Sequence, residues 1–352
     1  MKFSQCTPET KHPLTGKKVA IIGAGPAGLT IAGGLICMGH EVTVYDAMPE
    51  PGGLLIFGIP DFRMPKDKII QGIKELEEVG VLFVCKTRVG KDIEFEQLLQ
   101  QYDAIVIATG AWKEVELDIP GRELEGIYPV LDFLVKLSLY KKGYLEEEEV
   151  PKIGKKVVVI GGGNSAIDGA RTVKRLGANV TIVYRRTKEY MPAHKTEVEA
   201  AEKEGVNFVF LASPIRFVGD ETGRVKAVEC VRMRLGELDS SGRPRPEPIP
   251  GSEFQIPCDT VLLAIGEIPT PPFEDPNKYD IAVDSRNRII VDEKGRTTRK
   301  KVFAAGDVVT GPKDIASAIK MGKIVAKAVD EYLETGEWPK EIQNIPCSGL
   351  KE

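Results

Sequence analysis

The sequence predicts an α/β fold with two Rossmann-type, three-layer nucleotide-binding domains. Two stretches carry this prediction: "KVAIIGAGPAGLTIAGGLICMGHEVTVYDA", which starts at Lys18, and "KVVVIGGGNSAIDGARTVKRLGANVTIVYRR", which starts at Lys156. Each contains a short apolar strand, a glycine-rich turn, a helix and a second strand, within about 30 residues. Strands that alternate with helices in this way form parallel sheets with helices on both faces.

The first repeat predicts a strand at 18–23, a helix from about Pro26 to Met38 and a strand at 41–47. The second repeat predicts a strand at 156–161, a helix from about Asn164 to Leu176 and a strand at 179–186. Two further stretches, "YDAIVIATGA" at 102–111 and "DTVLLAIGEIP" at 259–269, each predict an apolar strand that ends in a glycine turn.

The rest of the chain defines the domain limits. Residues from about 225 to 256 alternate apolar and polar around "SSGRPRPEPIPGSE", which predicts an antiparallel excursion with an exposed tip. The acidic run at 146–149 is typical of a solvated surface. The final "KVFAAGDVVTGPKDIASAIKMGKIVAKAVDEYL" predicts a strand and a long amphipathic helix that return to the first domain. The predicted domains are therefore 1–115 with 270–352, and 116–269.

Composition excludes several classes of function. The chain has 352 residues, 42% of them hydrophobic and 28% charged, which is enough for two domains with cores of their own. The net charge of −4 argues against a nucleic-acid partner. No apolar run is long enough to span a bilayer, and the N-terminus has no signal-peptide core. These features predict a cytoplasmic protein that binds neither nucleic acid nor membrane.

The first glycine turn predicts a dinucleotide site. In such turns the glycines let the backbone approach a pyrophosphate, which then lies at the positive N-terminus of the helix. An acid at the end of the second strand accepts hydrogen bonds from a ribose diol and repels a 2′-phosphate. The predicted site residues here are Gly23, Gly25, Pro26, Ala27, Gly28 and Asp46.

The second glycine turn differs at two places. Ala166 stands at the third glycine position, and the second strand ends in Arg185 and Arg186 where the first repeat has an acid. Two guanidiniums at the ribose suit a 2′-phosphate, so this site is predicted to bind NADP(H). The alternative is two exposed arginines on an ordinary sheet edge. The predicted site residues are Gly161, Gly163, Asn164, Ser165, Ala166, Arg185, Arg186, Ala264 and Gly266.

Six motifs in order identify a family. "GAGPAGL", "PGGLLIFGIPDFRMPK", "ATGAW", "GGGNSAIDGARTVKRLGA", "YRRTKEYMPA" and "VFAAGDVVTGP" together resemble the glutamate synthase small-subunit family. These proteins are FAD- and NADPH-binding relatives of the disulfide-reductase flavoproteins. The resemblance, which runs from about residue 10 to 335, implies that flavoprotein architecture, with FAD at the first site and NADPH at the second.

The resemblance also implies further FAD contacts. Gly52, Gly53 and Leu54 are expected against the flavin, Thr109 and Gly110 on the FAD backbone, Val89 at the adenine and Asp307 at a hydroxyl. Ile315 and Ala316 are expected to begin the last helix and direct N–H groups at the flavin. The full implied set beyond the first glycine turn is Gly52, Gly53, Leu54, Arg63, Val89, Ala108, Thr109, Gly110, Gly306, Asp307, Ile315 and Ala316.

Three departures from the family pattern matter. Full-length members carry an upstream domain whose cysteines bind two iron–sulfur clusters, but here only 17 residues precede Lys18 and only Cys6 is among them. The six cysteines form no CxxC, so we expect no flavin-facing dithiol and no metal site; buried structural thiols are predicted, with a pair assembled in space left open. His194 stands where the family commonly has Arg. Its side chain is expected either at the nicotinamide site or on the surface without a role.

The predicted function is electron transfer from NADPH through FAD to a separate acceptor. Hydride is expected to pass directly between nicotinamide and flavin, so no catalytic side chain is predicted. The acceptor is expected to be a ferredoxin-like or glutamate synthase large-subunit-like protein, in a homo- or hetero-oligomer. The alternatives are a stand-alone disulfide or small-molecule reductase, and a non-enzymatic FAD- and NADP-binding module.

Overall fold

A computed structural model describes residues 1–239 and 242–339, which form two compact units. The first unit contains residues 1–56 and 64–113 and continues from residue 267. The second contains 57–63 and 114–266. The predicted domain limits differ from this division chiefly at 57–63, which the structure assigns to the second unit. Residues 340–352 and the tip residues 240 and 241 lie outside the described residues.

Within the described residues, the strands in chain order are β1 (Lys18–Ile22), β2 (Glu41–Tyr45), β3 (Leu82–Val84), β4 (Ala104–Ile107), β5 (Ala111–Glu114), β6 (Ile127–Pro129), β7 (Lys156–Ile160), β8 (Asn179–Tyr184), β9 (Asn207–Phe210), β10 (Ala212–Gly219), β11 (Val225–Leu238), β12 (Pro244–Pro248), β13 (Phe254–Pro257), β14 (Thr260–Leu263), β15 (Glu267–Pro269) and β16 (Val302–Ala304). The helices are α1 (Pro26–Cys37), α2 (Leu54–Phe57), α3 (Asp67–Val79), α4 (Phe95–Gln101), α5 (Val130–Lys141), α6 (Asn164–Arg175), α7 (Lys195–Lys203), α8 (Asp307–Thr310) and α9 (Ile315–Thr335).

The first unit contains a five-stranded parallel sheet in the order β16, β4, β1, β2, β3. Its central strand β1 has four consecutive buried residues, which is expected of a parallel strand covered on both faces. α9 packs against α1, where a Cβ on Gly322 would lie 3.0 Å from the carbonyl oxygen of Ala27. The last strand and helix therefore belong with the first repeat, as the sequence predicts.

The second unit repeats this plan with a parallel sheet in the order β6, β14, β7, β8, β9. Buried apolar clusters pack on its two faces. The predicted antiparallel excursion is also present, as β11 pairs with β10, β12 and β13. Strand β12 carries proline at 244, 246 and 248, and proline cannot donate a ladder hydrogen bond, which is tolerated on an edge strand.

The cysteines depart from the prediction at one place. Cys6 and Cys37 form a disulfide with a Cα–Cα distance of 5.6 Å, so the spatially assembled pair that the sequence left open is present. The prediction of buried structural thiols is therefore wrong for Cys37, because the segment that precedes β1 folds back onto the end of α1 and brings Cys6 beside it. Cys230 and Cys258 are buried thiols, and burial raises the pKa of each to about 12. Cys347 lies outside the described residues.

Reduction of this disulfide should lower the stability of the first unit. The bond closes a loop with a sequence separation of 31 residues, and the chain-entropy relation gives roughly 3 to 4 kcal/mol for a loop of that length. Without reductant, we expect Cys6→Ser to unfold at a lower urea concentration than wild type. With reductant present, the two proteins should have the same unfolding midpoint. Cys85→Ser is the control. An unchanged midpoint in Cys6→Ser without reductant would show that the bond does not form.

Within residues 1–239 and 242–339, no helix has the length and apolar character needed to cross a bilayer. Across the same residues, no cluster of three or more His, Cys, Asp or Glu side chains is arranged to hold a metal ion.

Candidate functional site: two dinucleotide cradles

The first glycine turn contains glycines of two kinds. A Cβ on Gly23 would lie 2.3 Å from the carbonyl oxygen of Ala108, and one on Gly28 would lie 1.9 Å from that of Gly23, so packing requires both glycines. Gly25 has φ −75° and ψ −175°, which any residue adopts, and a Cβ there would meet nothing within 4 Å. The protein itself therefore gives no reason for glycine at 25. Open space at the N-terminus of a helix without a side-chain cap fits a bound pyrophosphate.

Asp46 lies at the end of β2, as predicted, and is buried. Its Oδ2 accepts a hydrogen bond from the N–H of Ala24 at 2.6 Å, and its Oδ1 accepts one from Met48 at 2.7 Å. Burial raises the pKa of Asp46, while these two donors and the charge of Arg88 oppose the rise. Asp46 thus holds the glycine turn in place, and each oxygen keeps a second lone pair that can accept from a ribose hydroxyl.

Loops distant in sequence come together around this turn. The N–H of Gly52 donates to the carbonyl oxygen of Ala24 at 2.9 Å, and a Cβ on Gly53 would lie 3.0 Å from the Cα of Gly25. A Cβ on Gly306 would lie 2.9 Å from the Cβ of Ala27. The structure therefore brings the predicted residues at 52–53, at 108 and at 306 against one helix N-terminus.

Thr109 provides an independent sign of a ligand in this cradle. Its Oγ1 is buried and, among the described atoms, has no hydrogen-bond partner. Its carbonyl oxygen is different, since it accepts from Trp112 Nε1 at 2.8 Å. A buried hydroxyl without a partner is unfavourable by about 1 to 3 kcal/mol, and a bound hydroxyl or phosphate can supply the missing bond. Gly110 beside it has φ +76°, which favours glycine.

The far side of the cradle carries two acids. Asp307 begins α8, and its Oδ1 accepts from the N–H of Lys313 at 3.2 Å. Burial raises the pKa of Asp307 to about 6, and the charges of Glu267 and Asp314 add to the rise. Helix α9 begins at Ile315, with Asp314 as its N-cap, accepting from the N–H of Ser317 at 2.7 Å. This cap is not among the predicted site residues, although Asp before an apolar periodic run is an N-cap signal in the sequence.

Two predicted FAD residues lie away from the glycine turn. Val89 is buried in the segment after β3, next to Arg88, whose charge acts on Asp46. Arg63 is in the second unit, where its Nη1 donates to Asp168 Oδ2 on α6. In the structure its guanidinium therefore serves an ion pair, and FAD contact by Arg63 is left as a prediction without a supporting contact.

The segment 57–63 packs on α6 through charge and ring contacts. Phe62 lies under the guanidiniums of Arg171 and Arg175, at 4.6 and 4.1 Å from the ring centroid. Asp168 has a side chain 5% exposed and Arg63 one 17% exposed. Burial raises the pKa of Asp168 to about 6, while Arg63 lowers it. These contacts explain why this segment belongs to the second unit.

Replacement of Arg63 separates an ion-pair role from a FAD role. Arg63→Gln leaves the buried Asp168 carboxylate unpaired, so we expect a loss of about 3 kcal/mol at pH 8, measured by urea unfolding. Loss of Arg63 raises the pKa of Asp168 further, so in the folded variant the Asp168 carboxyl stays protonated up to a higher pH than in wild type. The destabilisation should therefore be largest above pH 6 and smaller at pH 5. If Arg63 serves the ion pair alone, the FAD content matches that of wild type, whereas a FAD contact by Arg63, as the sequence predicts, would lower it. Loss of FAD without loss of stability would contradict the ion-pair role.

The second glycine turn has the same two kinds of position. A Cβ on Gly161 would lie 2.1 Å from the carbonyl oxygen of Ala264, so this glycine is required by packing. Gly163, with φ −85° and ψ 179°, has nothing within 4 Å of its Cβ position and stands before a helix without a side-chain cap. Ala166 is fully buried at the third position. This cradle, too, leaves open space for a pyrophosphate at a helix N-terminus.

The two arginines that follow β8 have different environments. Arg185 is exposed, whereas Arg186 is buried, donating from Nε to the carbonyl oxygen of Pro244 at 2.7 Å and from Nη2 to Asp239 Oδ2 at 2.8 Å. The expectation that both guanidiniums face a 2′-phosphate is therefore corrected for Arg186, whose guanidinium binds Asp239 and Pro244 instead. Contact between Arg185 and a 2′-phosphate stays a prediction.

The loop after β8 closes over the second glycine turn. The N–H of His194 donates to Asn164 Oδ1 at 3.1 Å, and that of Ala193 donates to the carbonyl oxygen of Gly162 at 3.2 Å. His194 itself is exposed at the N-cap of α7. Asn164 thus orders this loop, while Ser165 is half-buried in the first turn of α6 and Gly266 follows β14 with φ +117°.

Comparison with known proteins identifies the type of chain. Residues 17–322 match the family profile described as pyridine nucleotide-disulphide oxidoreductase. The chain is 43% identical to the NADP(+)-dependent formate dehydrogenase subunit beta of Moorella thermoacetica, over 96% of this chain and 46% of that one. It is 41% identical to the NADPH glutamate synthase small chain of Halomonas elongata, over 92% of this chain and 70% of that one.

A solved structure shares the fold. FprA of Mycobacterium tuberculosis, determined in complex with NADPH, superimposes with a TM-score of 0.78 at 22% identity, over 94% of this chain and 87% of that chain. The chain thus spans about half of the formate dehydrogenase subunit, but most of FprA.

Proposed function

The chain belongs to the pyridine nucleotide-disulphide oxidoreductase family, and from this premise we propose that it accepts electrons from NADPH on a bound FAD and delivers them to a separate protein. The family is one of FAD-dependent enzymes that use a pyridine nucleotide. The names of two relatives, a glutamate synthase small chain and a formate dehydrogenase subunit, support NADP(H) as that nucleotide and a partner protein as acceptor.

One observation carries the proposal. Gly25 and Gly163 both precede a helix without a side-chain cap, and at neither does the protein itself exclude a side chain. Two such positions in one chain support two bound dinucleotides. The two dinucleotides are different, because the residue at the proposed ribose position is Asp46 in the first site and Arg185 in the second, and only the arginine attracts a 2′-phosphate.

The chain's own residues bind and orient the two cofactors. The N–H groups at the starts of α1 and α6 attract the pyrophosphates, Thr109 offers a hydroxyl, and Arg185 offers a charge to the 2′-phosphate. When bound, flavin and nicotinamide supply the redox chemistry. The protein contributes the binding and orientation of each cofactor within its own unit, and hydride transfer requires no side-chain acid or base.

The disulfide-reductase alternative is weakened by the position of the disulfide. Cys37 ends α1, a helix of 12 residues whose other end faces the pyrophosphate. At 1.5 Å per residue these ends lie about 18 Å apart, too far for the disulfide to exchange electrons with a flavin held at the N-terminal end. Among the described residues, the three other cysteines are Cys85, Cys230 and Cys258, and none is paired.

The proposal is tested with the FAD-loaded protein under anaerobic conditions. NADPH should bleach the flavin absorbance and support reduction of an artificial dye, and the Cys6→Ser, Cys37→Ser double variant should reduce the dye within about threefold of wild type. The chain alone should form no glutamate from glutamine and 2-oxoglutarate. A flavin that neither NADPH nor NADH bleaches would indicate a binding module, and loss of dye reduction in the double variant would favour the disulfide reductase.

The acceptor and the location complete the proposal. Two acceptors are then added to the assay in place of the dye: purified ferredoxin and a glutamate synthase large chain. An acceptor that binds this protein specifically should be reduced faster than the dye. Partner capture would also show a homo- or hetero-oligomer. The proposal keeps the cytoplasmic location predicted from the sequence, and fractionation of cells that express the protein tests it.

A further inference from the structure

The loop 185–194, which joins β8 to α7, has a separate anchor at each end. Near its start, the hydroxyl of Tyr184 donates to the carbonyl oxygen of Tyr190 at 2.7 Å. At its end, the N–H of His194 donates to Oδ1 of Asn164, the residue that begins α6. His194 is also the N-cap of α7. The bond at the glycine turn therefore depends on where α7 begins.

The bond from His194 also fixes the orientation of the Asn164 amide. An N–H donor is accepted by the amide oxygen, so Oδ1 is directed at the loop and Nδ2 is left to donate elsewhere. Asn164 stands at the N-terminus of α6, beside the N–H groups that are proposed to bind a pyrophosphate. When the loop moves away, the amide is free to rotate, and the orientation that offers Nδ2 to an anion is lost.

Arg171 ties α7 to α6 at a second point. It follows Asn164 by seven residues, about two helical turns, so both side chains leave α6 on the same side. Its Nη1 donates to Glu197 Oε2 at 2.5 Å, and its Nη2 donates to Glu204 Oε1 at 2.7 Å. The first acid lies in the first turn of α7 and the second at its C-cap. The Arg171 side chain is 8% exposed, so loss of its carboxylate partners is strongly unfavourable.

Glu197 connects this ion pair to the loop. Its N–H donates to the carbonyl oxygen of His194 at 2.9 Å, in the first turn of α7, while its carboxylate is held by Arg171. Val198 and Ala201 pack the same helix into the core of the second unit, but apolar contacts are not directional. The ion pair is therefore the contact that fixes the start of α7 along the axis of α6.

We propose that Arg171 and Glu197 are positioning residues for the second cradle. Their ion pair sets the start of α7, so that His194 reaches Asn164 and the Asn164 amide offers Nδ2 to a bound dinucleotide. The inference rests on the proposed binding of NADP(H) at this cradle. It concerns affinity and not selectivity, because the pyrophosphate is common to NADP(H) and NAD(H). Loss of the ion pair should weaken both nucleotides by the same factor.

The first test follows the His194 amide in protein without nucleotide. The chain has three histidines, so labelling with ¹⁵N-histidine gives three backbone amide resonances, and a His194→Gln variant identifies the one at 194. In Glu197→Ala, hydrogen exchange at His194 should be about tenfold faster. The N–H groups of His12 and His40 donate to backbone carbonyl oxygens in the first unit and should not change. Glu199→Ala is the matched control, because it removes the same charge at an exposed position of α7.

The second test measures dissociation constants of NADP⁺ and NAD⁺ by titration calorimetry on the FAD-loaded protein. Glu197→Ala should weaken each by about fivefold, and Glu199→Ala by less than about twofold. Two explanations predict opposite signs, because removal of a nearby negative charge alone tightens the binding of an anionic nucleotide. Arg171 keeps Glu204 as its partner in Glu197→Ala, so the second unit should stay folded, which urea unfolding checks.

A double variant tests whether the effect passes through Asn164. Asn164→Ala should weaken both nucleotides, and Glu197→Ala added to it should weaken them little further, because both changes act at the same bond. Additive losses, tighter binding in Glu197→Ala or unchanged exchange at His194 would each overturn the positioning role. Wild-type protein that binds neither NADP⁺ nor NAD⁺ would instead refute the proposed function, and the exchange measurement would still test the hold of the ion pair on the loop.

Discussion

Gly25→Val should yield a folded protein without flavin. Valine adopts the φ and ψ of Gly25 without strain, and its Cβ meets no protein atom within 4 Å, so the fold of the first unit should remain. The same side chain fills the space in which a pyrophosphate would approach the N-terminus of α1. We expect purified variant protein to be colourless, against about one FAD per chain in wild type, with circular dichroism unchanged.

Gly163→Val is the matched control for this experiment. It makes the same change in the second cradle, so it should keep FAD and lose affinity for NADP⁺. Gly28→Val differs from both, because its Cβ would lie 1.9 Å from the carbonyl oxygen of Gly23, and it should fail to fold. Full flavin content in Gly25→Val would show that the first cradle does not hold FAD.

Arg185→Gln should lower NADPH affinity about ten- to a hundredfold, because a charge-assisted hydrogen bond contributes about 1.5 to 3 kcal/mol and 1.4 kcal/mol is tenfold. Arg185 is the exposed arginine at the end of β8, where the sequence predicts the 2′-phosphate. NADH carries no such phosphate, so its affinity should barely change. Fluorescence titration of both nucleotides measures the ratio.

The comparison with Arg186 sharpens this prediction. Arg186→Gln removes the buried partner of Asp239, so it should destabilise the second unit, whereas Arg185→Gln should leave the unfolding midpoint unchanged. Equal losses of NADPH and NADH affinity in Arg185→Gln would indicate a folding defect and remove the argument for specificity.

Much of the fold followed from local patterns. The strands and helices of both repeats begin and end within about two residues of prediction, because apolar runs and glycine turns act over a few residues. The sequence also predicts that the last helix returns to the first unit. The strand, GD turn and helix at 301–333 do not form a third repeat, so they are expected to add to an existing domain. The sequence names Gly25 and Gly163 only as members of the two glycine turns. Packing alone distinguishes them, as open positions, from Gly23 and Gly161.

By itself, the sequence determined the two repeats, their order and the opposite charges that follow their second strands, at Asp46 and at Arg185 and Arg186. The tertiary structure decided which side chains are engaged: Cys6 with Cys37, Arg63 with Asp168 and Arg186 with Asp239. The partners in these pairs lie 31, 105 and 53 residues apart. A strand pattern is read from neighbours along the chain, whereas the partner of a buried charge is set by which distant loop packs beside it, and no local period records that choice.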